Sequence, residues 1–450
     1  MVHESEQRNT KKKQRGKSID QSTKKRSAVD QTWVCRLVAR MKFLSKVIAS
    51  LATLTLGGNV HSQDNLHGDV YQPLASEPGE LDDGSFYIPS TIDTVLWGSL
   101  PNRNTEPVLS VPSGAIVIFD SVSHEGILED QGRNPVEYFS RHGVAPNEVL
   151  DDARTIAASA LDHDFDADGP HVVTGPVAIQ GAQPGDVLKI EVLALLPRAP
   201  YGVISNRHGK GALPGEFPEN SGPTSGASVQ QPELYNNVSV FTEIEEVGGE
   251  RYSILHNQSG EEIRFLIAPF MGIMGVAPDT GETVNSIPPA TYGGNLDINE
   301  LGVGSTLYLP IQVPGAFFYT GDPHYAQGDG EVALTALEAP LRATLRLTLL
   351  SASDPGIPGG SPFTQPFGET AEYWIPIGLD PDLDEAMKQS VREGIEFLSL
   401  TLGVDRAVAY AYLSAASDFE ISQVVDRTKG VHGLIRKADF SGTTHHIEDN

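Results

Sequence analysis

The spacing of apolar residues predicts a chain that is mainly β. Residues 115–120 and 187–193 are short, β-branched apolar runs, and each follows a Pro/Gly turn, which is typical of a strand. Residues 342–349 alternate between apolar and polar side chains, which predicts a strand with one solvated face. Residues 205–260 are rich in Gly, Pro, Asn and Glu, and this composition predicts long surface loops.

The period of the pattern changes to that of a helix near the C-terminus. Apolar residues recur at helical spacing from 383 to 402, after an Asp-Pro entry signal and before Gly403, a typical stop residue. A second helix is predicted from just after Asp405 to about Ser414. We therefore expect a mainly β domain whose C-terminal part, about 380–426, is helical.

The first 62 residues differ in composition from the rest. Residues 1–40 are polar and basic, whereas residues 41–62 combine a Met-Lys start, an apolar run and small residues before a cleavage point. That layout is typical of a secretory signal peptide, so we expect a periplasmic or secreted protein. Residues 1–40 are then either a mis-called start or a basic tail. The other predicted parts are an N-terminal arm at 63–110, the main domain at 111–440 and a tail at 441–450.

Charge excludes some classes of partner. The chain of 450 residues has a net charge of −27, and without residues 1–62, which carry 13 Lys+Arg and 4 Asp+Glu, the net charge is −36. Such a surface repels nucleic acid and anionic membranes, so neither is expected as a partner. The single cysteine, Cys35, lies in the leader. Residues 63–450 therefore contain no cysteine nucleophile, thiolate ligand or disulfide.

The side chains that suit metal chemistry are concentrated between Tyr292 and Glu331. Glycines at 293, 294, 328 and 330 allow close approach of the backbone to a ligand. Imidazole and carboxylate groups suit Zn²⁺ or Ca²⁺, and a carboxylate that is not a ligand can transfer protons. The candidate groups in this stretch are Asp297, Asp322, His324, Asp329 and Glu331.

Three further histidines stand next to turns or glycines. His124 and Glu125 follow the predicted strand at 115–120, His171 follows a Gly-Pro pair, and His208 lies between Arg and Lys. Each of them also fits a plain structural role, and the residues alone leave that choice open.

Several motifs together resemble the acetamidase/formamidase family over about residues 85–440. The resemblance implies a β-sandwich or barrel-like fold with C-terminal helices, metal-assisted hydrolysis of small linear amides, and a homo-oligomer, dimer or higher. The motifs are Pro184-Gly-Asp-Val-Leu188, Pro269-Phe-Met-Gly-Ile-Met-Gly-Val276, Gly293-Gly-Asn-Leu-Asp297, Val313-Pro-Gly-Ala316, and Gly321-Asp-Pro-His324 leading to Gln327-Gly-Asp-Gly-Glu331.

The resemblance implies metal ligands at Asp297 and His324, carried over by position. Our hypothesis adds His124 and Asp322, with Zn²⁺ as the expected ion and Ca²⁺ as the alternative. Glu331 or Glu125 is expected to transfer protons. The residues expected to contact the amide substrate are Asn295, Gln327 and His208.

The chain departs from the family pattern in two places. Tyr292 stands where many members have His, and Ser123-His124-Glu125 stands where many have an Asp-Ala-Leu-like segment. One interpretation is that a ligand lost at 292 is replaced at 124. The segment 206–215 looks like a subgroup feature that could give the pocket a different shape.

Two alternatives to a small linear amide stay open. One is hydrolysis of a larger or cyclic amide, as in lactamase-like relatives, and the other is a secreted, non-catalytic Ca²⁺-binding β protein. Two other amidase designs are excluded. The Cys-nucleophile type lacks its Cys, and the chain has neither a Gly-x-Ser-x-Gly elbow nor the Gly/Ser-rich nucleophile loop of Ser–Ser–Lys enzymes.

Overall fold

Two large, mostly antiparallel β-sheets form the body of the protein. The computed structural model describes residues 70–360 and 363–441. The predictions for residues 1–40, for the signal peptide at 41–62 and for the tail beyond 441 lie outside these residues. Among the described residues, no helix combines the length and the apolar character that crossing a membrane requires.

The strands and helices have the following bounds. The strands are β1 Gly79–Glu80, β2 Phe86–Ile88, β3 Val95–Trp97, β4 Ser99–Leu100, β5 Leu109–Val111, β6 Ala115–Asp120, β7 Val172–Ile179, β8 Val187–Pro197, β9 Tyr201–Asn206, β10 Val238–Val247, β11 Glu250–His256, β12 Glu262–Leu266, β13 Phe270–Gly275, β14 Val284–Asn285, β15 Gly293–Asn295, β16 Thr306–Pro310, β17 Phe318–Ala326, β18 Leu337–Glu338, β19 Leu341–Leu350, β20 Phe367–Glu369, β21 Tyr373–Asp380, β22 Asp418–Gln423 and β23 Lys429–Arg436. The α-helices are α1 Pro135–Ser140, α2 Asp151–Ala158, α3 Leu383–Leu402 and α4 Arg406–Ala416.

The ten-stranded sheet has the order β1-β2-β6-β19-β8-β16-β20-β21-β23-β22. The eleven-stranded sheet has the order β12-β11-β10-β9-β18-β17-β13-β15, and β7, which pairs with β17, also carries β3 and β5. Strands β4 and β14 form a separate pair. The predicted class, mainly β with helices near the C-terminus, is confirmed.

One hydrophobic core joins the two large sheets. Val117 and Phe119 of β6 lie in the same buried cluster as Met274 of β13 and Phe318 of β17. The rings of Phe119 and Phe318 meet edge to face with their centroids 5.7 Å apart. The sheets therefore pack face to face, as in a β-sandwich, because each has one continuous apolar face to bury.

The C-terminal helices agree with their sequence signals. Helix α3 begins after Asp382, whose carboxylate accepts hydrogen bonds from the backbone N–H groups of Asp384 and Glu385. It ends at Gly403, which has φ +63° and supplies the left-handed cap that favours glycine. Helix α4 follows directly after Asp405.

Two segments differ from their predictions. The prediction of long loops over 205–260 is wrong for residues 238–256, where β10 and β11 form a hairpin that pairs with β9. Its many Glu residues resemble a loop composition, but the strands are largely solvent-exposed and tolerate them. The C-terminal helices end at Ala416, and β22 and β23 then form a hairpin on the edge of the ten-stranded sheet.

Asp120 anchors the end of β6 through a buried polar network. Its carboxylate accepts hydrogen bonds from Tyr87 Oη at 2.6 Å and from Arg342 Nε and Nη2 at 2.6 and 2.9 Å. Arg198, which is fully buried, places Nη2 3.4 Å from Asp120 Oδ2. Since residues 121–125 follow directly, this network sets the position of the chain that carries His124.

Arg198 also ties other segments to this point. Its Nη1 lies 2.8 Å from Asp152 Oδ2 and donates a hydrogen bond to the carbonyl of Ser121 at 3.1 Å. Removal of this guanidinium would leave the carboxylates of Asp120 and Asp152 buried with fewer partners, which is strongly destabilising.

We therefore expect Arg198→Ala to lower the free energy of unfolding by about 3–5 kcal/mol. Arg103→Ala is the matched control, because Arg103 pairs with Asp279 on the surface, with side chains 52% and 64% exposed. Loss of an exposed pair costs only about 0–1 kcal/mol. Urea denaturation of both variants measures the difference, and equal destabilisation would contradict a structural role for the Arg198 network.

Candidate metal centre

A buried cluster of carboxylates and imidazoles lies where segments of both sheets meet. His124 follows β6, Asp322 and His324 belong to β17, and Glu338 belongs to β18. Each member is at most 6% exposed. The full set is His124, His171, Asp297, Asp322, His324, Glu331, Glu338 and Asp426.

Asp322 is shared by two overlapping groups of donor atoms. In the first group, its Oδ1 lies 3.6 Å from His124 Nδ1 and its Oδ2 lies 3.7 Å from His171 Nε2. In the second group, its Oδ2 lies 3.1 Å from His324 Nε2, and His324 Nδ1 lies 3.8 Å from Asp297 Oδ1. Ligand atoms in a tetrahedral Zn²⁺ site lie about 3.3 Å apart, so the separations in the first group suit shared coordination. In the second group, an ion would use one ring nitrogen of His324, and one donor atom from each of the three residues lies within 4.8 Å of the others.

Three more carboxylates extend the cluster. His324 Nε2 is 3.1 Å from Glu338 Oε1, and donor atoms of His324, Glu331 and Glu338 all lie within 4.8 Å of one another. The same limit holds for Asp297, Glu331 and Asp426. The cluster thus offers both nitrogen and oxygen donors, which suits Zn²⁺ better than Ca²⁺, an ion that prefers oxygen ligands alone.

Many of the buried donor atoms have no hydrogen-bond partner. Buried polar atoms are nearly always hydrogen-bonded, and each orphan costs about 1–3 kcal/mol. A divalent cation would satisfy such atoms together, so the donor set fits a metal. The orphans in the cluster are both ring nitrogens of His124 and of His324, both carboxylate oxygens of Asp297, Asp322 Oδ1, Glu331 Oε2, Glu338 Oε2 and Asp426 Oδ2.

Burial and like charge shift the carboxyl groups in a consistent direction. Burial, together with the neighbouring Asp426, raises the pKa of Asp297 well above its usual value. Burial and Asp297 do the same to the pKa of Glu331. Asp322 is the exception, because its contacts with His171 and His324 outweigh burial and hold its pKa well below the usual value. The carboxylates repel one another, and a bound cation would relieve that repulsion.

Three of the carboxylates sit on left-handed backbone, which non-glycine residues seldom adopt. Asp297 and Asp322 both have φ +50°, and Glu331 has φ +47°. Such conformations cost of order 1–3 kcal/mol each and persist where the surroundings hold them. Since three of them occur in one cluster, the positions of these side chains are maintained here despite the strain in the backbone.

Gly272 of β13 leaves the space that the donors occupy. A Cβ at this position would lie 2.5 Å from Asp297 Oδ1 and 2.8 Å from Asp322 Oδ2. Gly272 belongs to the Pro269–Val276 motif, and glycine is needed at this position because any side chain would collide with these carboxylate oxygens.

Glu125 lies behind His124 and is fully engaged. Its Oε1 accepts from two nitrogens of Arg207, each at 3.2 Å, and its Oε2 accepts from Ser205 Oγ at 2.7 Å and from Gln131 Nε2. Although burial opposes ionisation, Arg207 lowers the pKa of Glu125 to about 2. Its Oε1 is 3.4 Å from His124 Nε2, so Glu125 is placed to orient that ring.

The residues expected to contact substrate are dispersed. Asn295 lines the cavity beside the cluster, and its Oδ1 has no hydrogen-bond partner. Gln327 Nε2 instead donates to the carbonyls of Asp297 and Ser422 at 3.0 and 3.1 Å, so it braces the backbone. His208 Nε2 contacts Asn220 Oδ1 at 2.8 Å in a surface loop.

Two positions flagged by the sequence lie outside the cluster. Tyr292 is half-buried and packs against apolar side chains, and burial raises its pKa to about 12. Asp329 belongs to a separate group with His432. His124, by contrast, lies within the cluster.

Glu338 and Asp426 belong to the cluster, although no sequence motif predicted them as site residues. Glu338 is a single charge within the apolar run around β18, and Asp426 lies in the turn between β22 and β23. A charged residue in an otherwise buried stretch is the only sequence signal that marks Glu338. His171, for which a structural role was also open, places Nε2 in the cluster, while its Nδ1 is 2.9 Å from Ser286 Oγ.

A cavity of about 310 Å³ opens beside the cluster. It is lined on one side by cluster residues, among them His124 and Glu331, and on the other by apolar side chains such as Phe165 and Ile287. The segment 206–215 contributes Arg207, Lys210 and Pro214 among others to its wall. The segment 206–215 therefore forms part of the cavity wall.

Comparison with known proteins points to one family. The model of the acetamidase/formamidase family matches residues 148–283 and 280–435. The chain is similar to a formamidase from Methylophilus methylotrophus, with 26% identity over 260 residues, or 50% of this chain and 63% of that protein. It is also similar to an acetamidase from Mycolicibacterium smegmatis, with 26% identity over 209 residues, or 38% of this chain and 50% of that protein. The matches thus span only about half to three-fifths of these curated relatives.

Solved structures share the fold. An acetamidase from Bacillus halodurans superposes with a TM-score of 0.60 at 24% identity, covering 80% of this chain and 100% of that one. An acetamidase from Yersinia enterocolitica gives a TM-score of 0.59 at 22% identity, with 81% and 96% covered. At these identities the likeness establishes the architecture.

The environment of Gly272 leads to a test. We expect Gly272→Ala to weaken binding of Zn²⁺ at least about tenfold, because the new methyl displaces the oxygens of Asp297 and Asp322 (a tenfold change is about 1.4 kcal/mol). Gly302→Ala is the control, since the nearest atom to its Cβ would be 3.4 Å away. Titration calorimetry on metal-stripped protein measures both affinities. Unchanged affinity in Gly272→Ala would show that these carboxylates are not ligands.

Proposed function

The chain belongs to the acetamidase/formamidase family, and from that premise we propose that it hydrolyses the C–N bond of an amide to a carboxylic acid and ammonia at the buried cluster. The observation that carries the proposal is the set of orphaned imidazole and carboxylate atoms beside a cavity of about 310 Å³. A non-catalytic Ca²⁺-binding protein would have little use for three buried histidines at one site.

The residues that would hold a divalent cation are His124, Asp297, Asp322 and His324, with His171 completing the group around Asp322. When bound, such an ion would polarise an amide carbonyl and lower the pKa of water. Zn²⁺ is the proposed ion, because the donors are imidazole nitrogens and carboxylate oxygens. Glu125 acts indirectly, because it holds the ring of His124 and is itself held by Arg207.

Glu331 is the proposed proton carrier. Amide hydrolysis requires one proton to leave the attacking water and one to reach the departing nitrogen, since an amine anion is a poor leaving group. Glu331 lines the cavity, and burial raises the pKa of its carboxyl group, which favours the protonated form that can deliver a proton. Asn295 Oδ1, which has no hydrogen-bond partner among the described residues, is placed to accept a hydrogen bond from the amide N–H of the substrate.

The cavity favours a substrate larger than formamide. Its volume of about 310 Å³ falls at the lower end of the ~300–1,000 Å³ range of small-molecule sites. Leu128, Phe165 and Ile287 offer apolar surface to a substituent that formamide and acetamide do not possess. A larger or cyclic amide is therefore the favoured substrate class, and a small linear amide such as formamide or acetamide is the alternative.

Ammonia release from a panel of linear and cyclic amides tests the proposal. We expect activity that falls at least about tenfold after chelation and returns with Zn²⁺, with kcat/KM rising from formamide to amides with a larger acyl group. A chelated enzyme as active as the untreated one would rule out a metal role, and a preference for formamide would assign the smaller substrate.

Glu331→Gln isolates the proton transfer. Since glutamine keeps the size but cannot carry a proton, we expect kcat to fall about 10²–10⁴-fold with little change in KM. Glu393→Gln is the matched control, because Glu393 is a half-buried glutamate on α3 that belongs to none of the donor groups. Equal kcat in the two variants would remove Glu331 from the mechanism.

A further inference from the structure

A second group of metal-binding side chains lies apart from the cavity. It consists of Glu300, Asp329, Glu420 and His432, whose donor atoms all lie within 4.8 Å of one another. His432 Nε2 is 3.1 Å from Glu300 Oε2 and 3.7 Å from Glu420 Oε2. None of the four residues lines the cavity beside the first cluster.

The imidazole of His432 is positioned as a ligand would be. The residue is fully buried, and its Nδ1 lies 2.8 Å from Ser422 Oγ, which fixes the orientation of the ring. Its Nε2 lies 3.1 Å from Glu300 Oε2, yet neither atom makes a hydrogen bond with any residue that the structure describes. A ring nitrogen held by a neighbour on one side and left open on the other is the usual arrangement of a metal-ligating histidine.

The carboxylates are also held in place. Glu420 of β22 is the cross-strand partner of His432 of β23, so the hairpin itself sets their separation. Asn299 Nδ2 donates to Asp329 Oδ1 at 3.1 Å.

We propose that Glu300, Asp329, Glu420 and His432 form a second divalent-cation site, distinct from the cluster at the cavity. One imidazole nitrogen and three carboxylate oxygens are donor types that bind Zn²⁺, and their number matches its usual four-coordinate geometry. With Glu300 18% and Glu420 34% exposed, the site is reachable from solvent and its ion is exchangeable.

The site joins three segments that carry residues of the first cluster. Glu300 lies three residues after Asp297, Asp329 lies two before Glu331, and Asp426 sits in the turn between the strands of Glu420 and His432. A cation bound here therefore clamps the loops that place Asp297, Glu331 and Asp426. The proposed role of this cation is structural, so the proposal does not depend on whether the first cluster is catalytic.

Zinc titration of the metal-stripped full-length chain tests this site. We expect Glu420→Gln and His432→Asn each to bind one Zn²⁺ fewer per chain than the unsubstituted protein, or to bind that ion at least about tenfold more weakly. Glu262→Gln and His256→Asn are matched controls on exposed positions of β12 and β11, and neither should change the stoichiometry. Zn²⁺ should also raise the Tm of Glu420→Gln less than that of the unsubstituted chain.

The outcomes separate this site from the first. The His324→Asn variant should still bind the Zn²⁺ that depends on Glu420. Loss of that Zn²⁺ in His324→Asn would show that the two groups form a single shared site and would overturn the proposal. Unchanged zinc stoichiometry and affinity in Glu420→Gln would likewise overturn it and leave a metal-free ion-pair network. Should His432→Asn fail to fold, Glu420→Gln decides the result, because that side chain is partly exposed. If the protein released no ammonia from any amide but still bound the Zn²⁺ that depends on Glu420, only the proposed hydrolytic activity would be rejected, and the second site would stand.

Discussion

Electrostatic repulsion among buried carboxylates is the constraint on which this structure depends. Asp297, Asp322, Glu331, Glu338 and Asp426 are brought together with little access to water. Ionised carboxyl groups in such an environment are costly unless they are paired, and the three histidines compensate them only in part. The cluster is therefore arranged for a cation, and burial raises the pKa values of Asp297, Glu331, Glu338 and Asp426.

The sandwich provides the rigidity that such an arrangement requires. The donors come from β17, β18, the connection between them, the segment after β6, the residue before β7, the segment after β15 and the β22–β23 turn, so no single local element could assemble them. Left-handed backbone at Asp297, Asp322 and Glu331 and the bare Cα of Gly272 show how far the main chain is adapted to the side chains. The Asp120 network holds the end of β6 and thereby sets where the segment that carries His124 begins.

The second group of donors, Glu300, Asp329, Glu420 and His432, is connected to the first cluster through one hairpin. The hairpin of β22 and β23 carries His432 and Glu420 on its strands and Asp426 in its turn. If the four donors of this second group hold an ion, the position of Asp426 depends on that ion as well as on the sheet. Stability and chemistry would then be linked through metal occupancy, since a ligand bound only to the folded state stabilises it.

Local signals determined much of the architecture. The strands at 115–120 and 341–350 and helix α3 follow from periodicity and capping, because these depend on neighbours along the chain. The Gly-Asp-Pro-His motif at 321–324 made Asp322 and His324 candidate metal ligands through its resemblance to the family pattern. The hairpin at 238–256 was missed because exposed strands rich in Glu have the composition of a loop.

Only the tertiary structure decided which groups share the site. Glu338 and Asp426 carry no motif, and their roles arise because distant strands place them against His324 and Asp297. Glu125 looked like a proton carrier until Arg207, 82 residues away, was found to engage its carboxylate. Asp329 looked like part of the first cluster, yet the chain turns it toward His432. Sequence proximity fixes which side chains are available, whereas the contacts that set their charge and their partners are made across the fold.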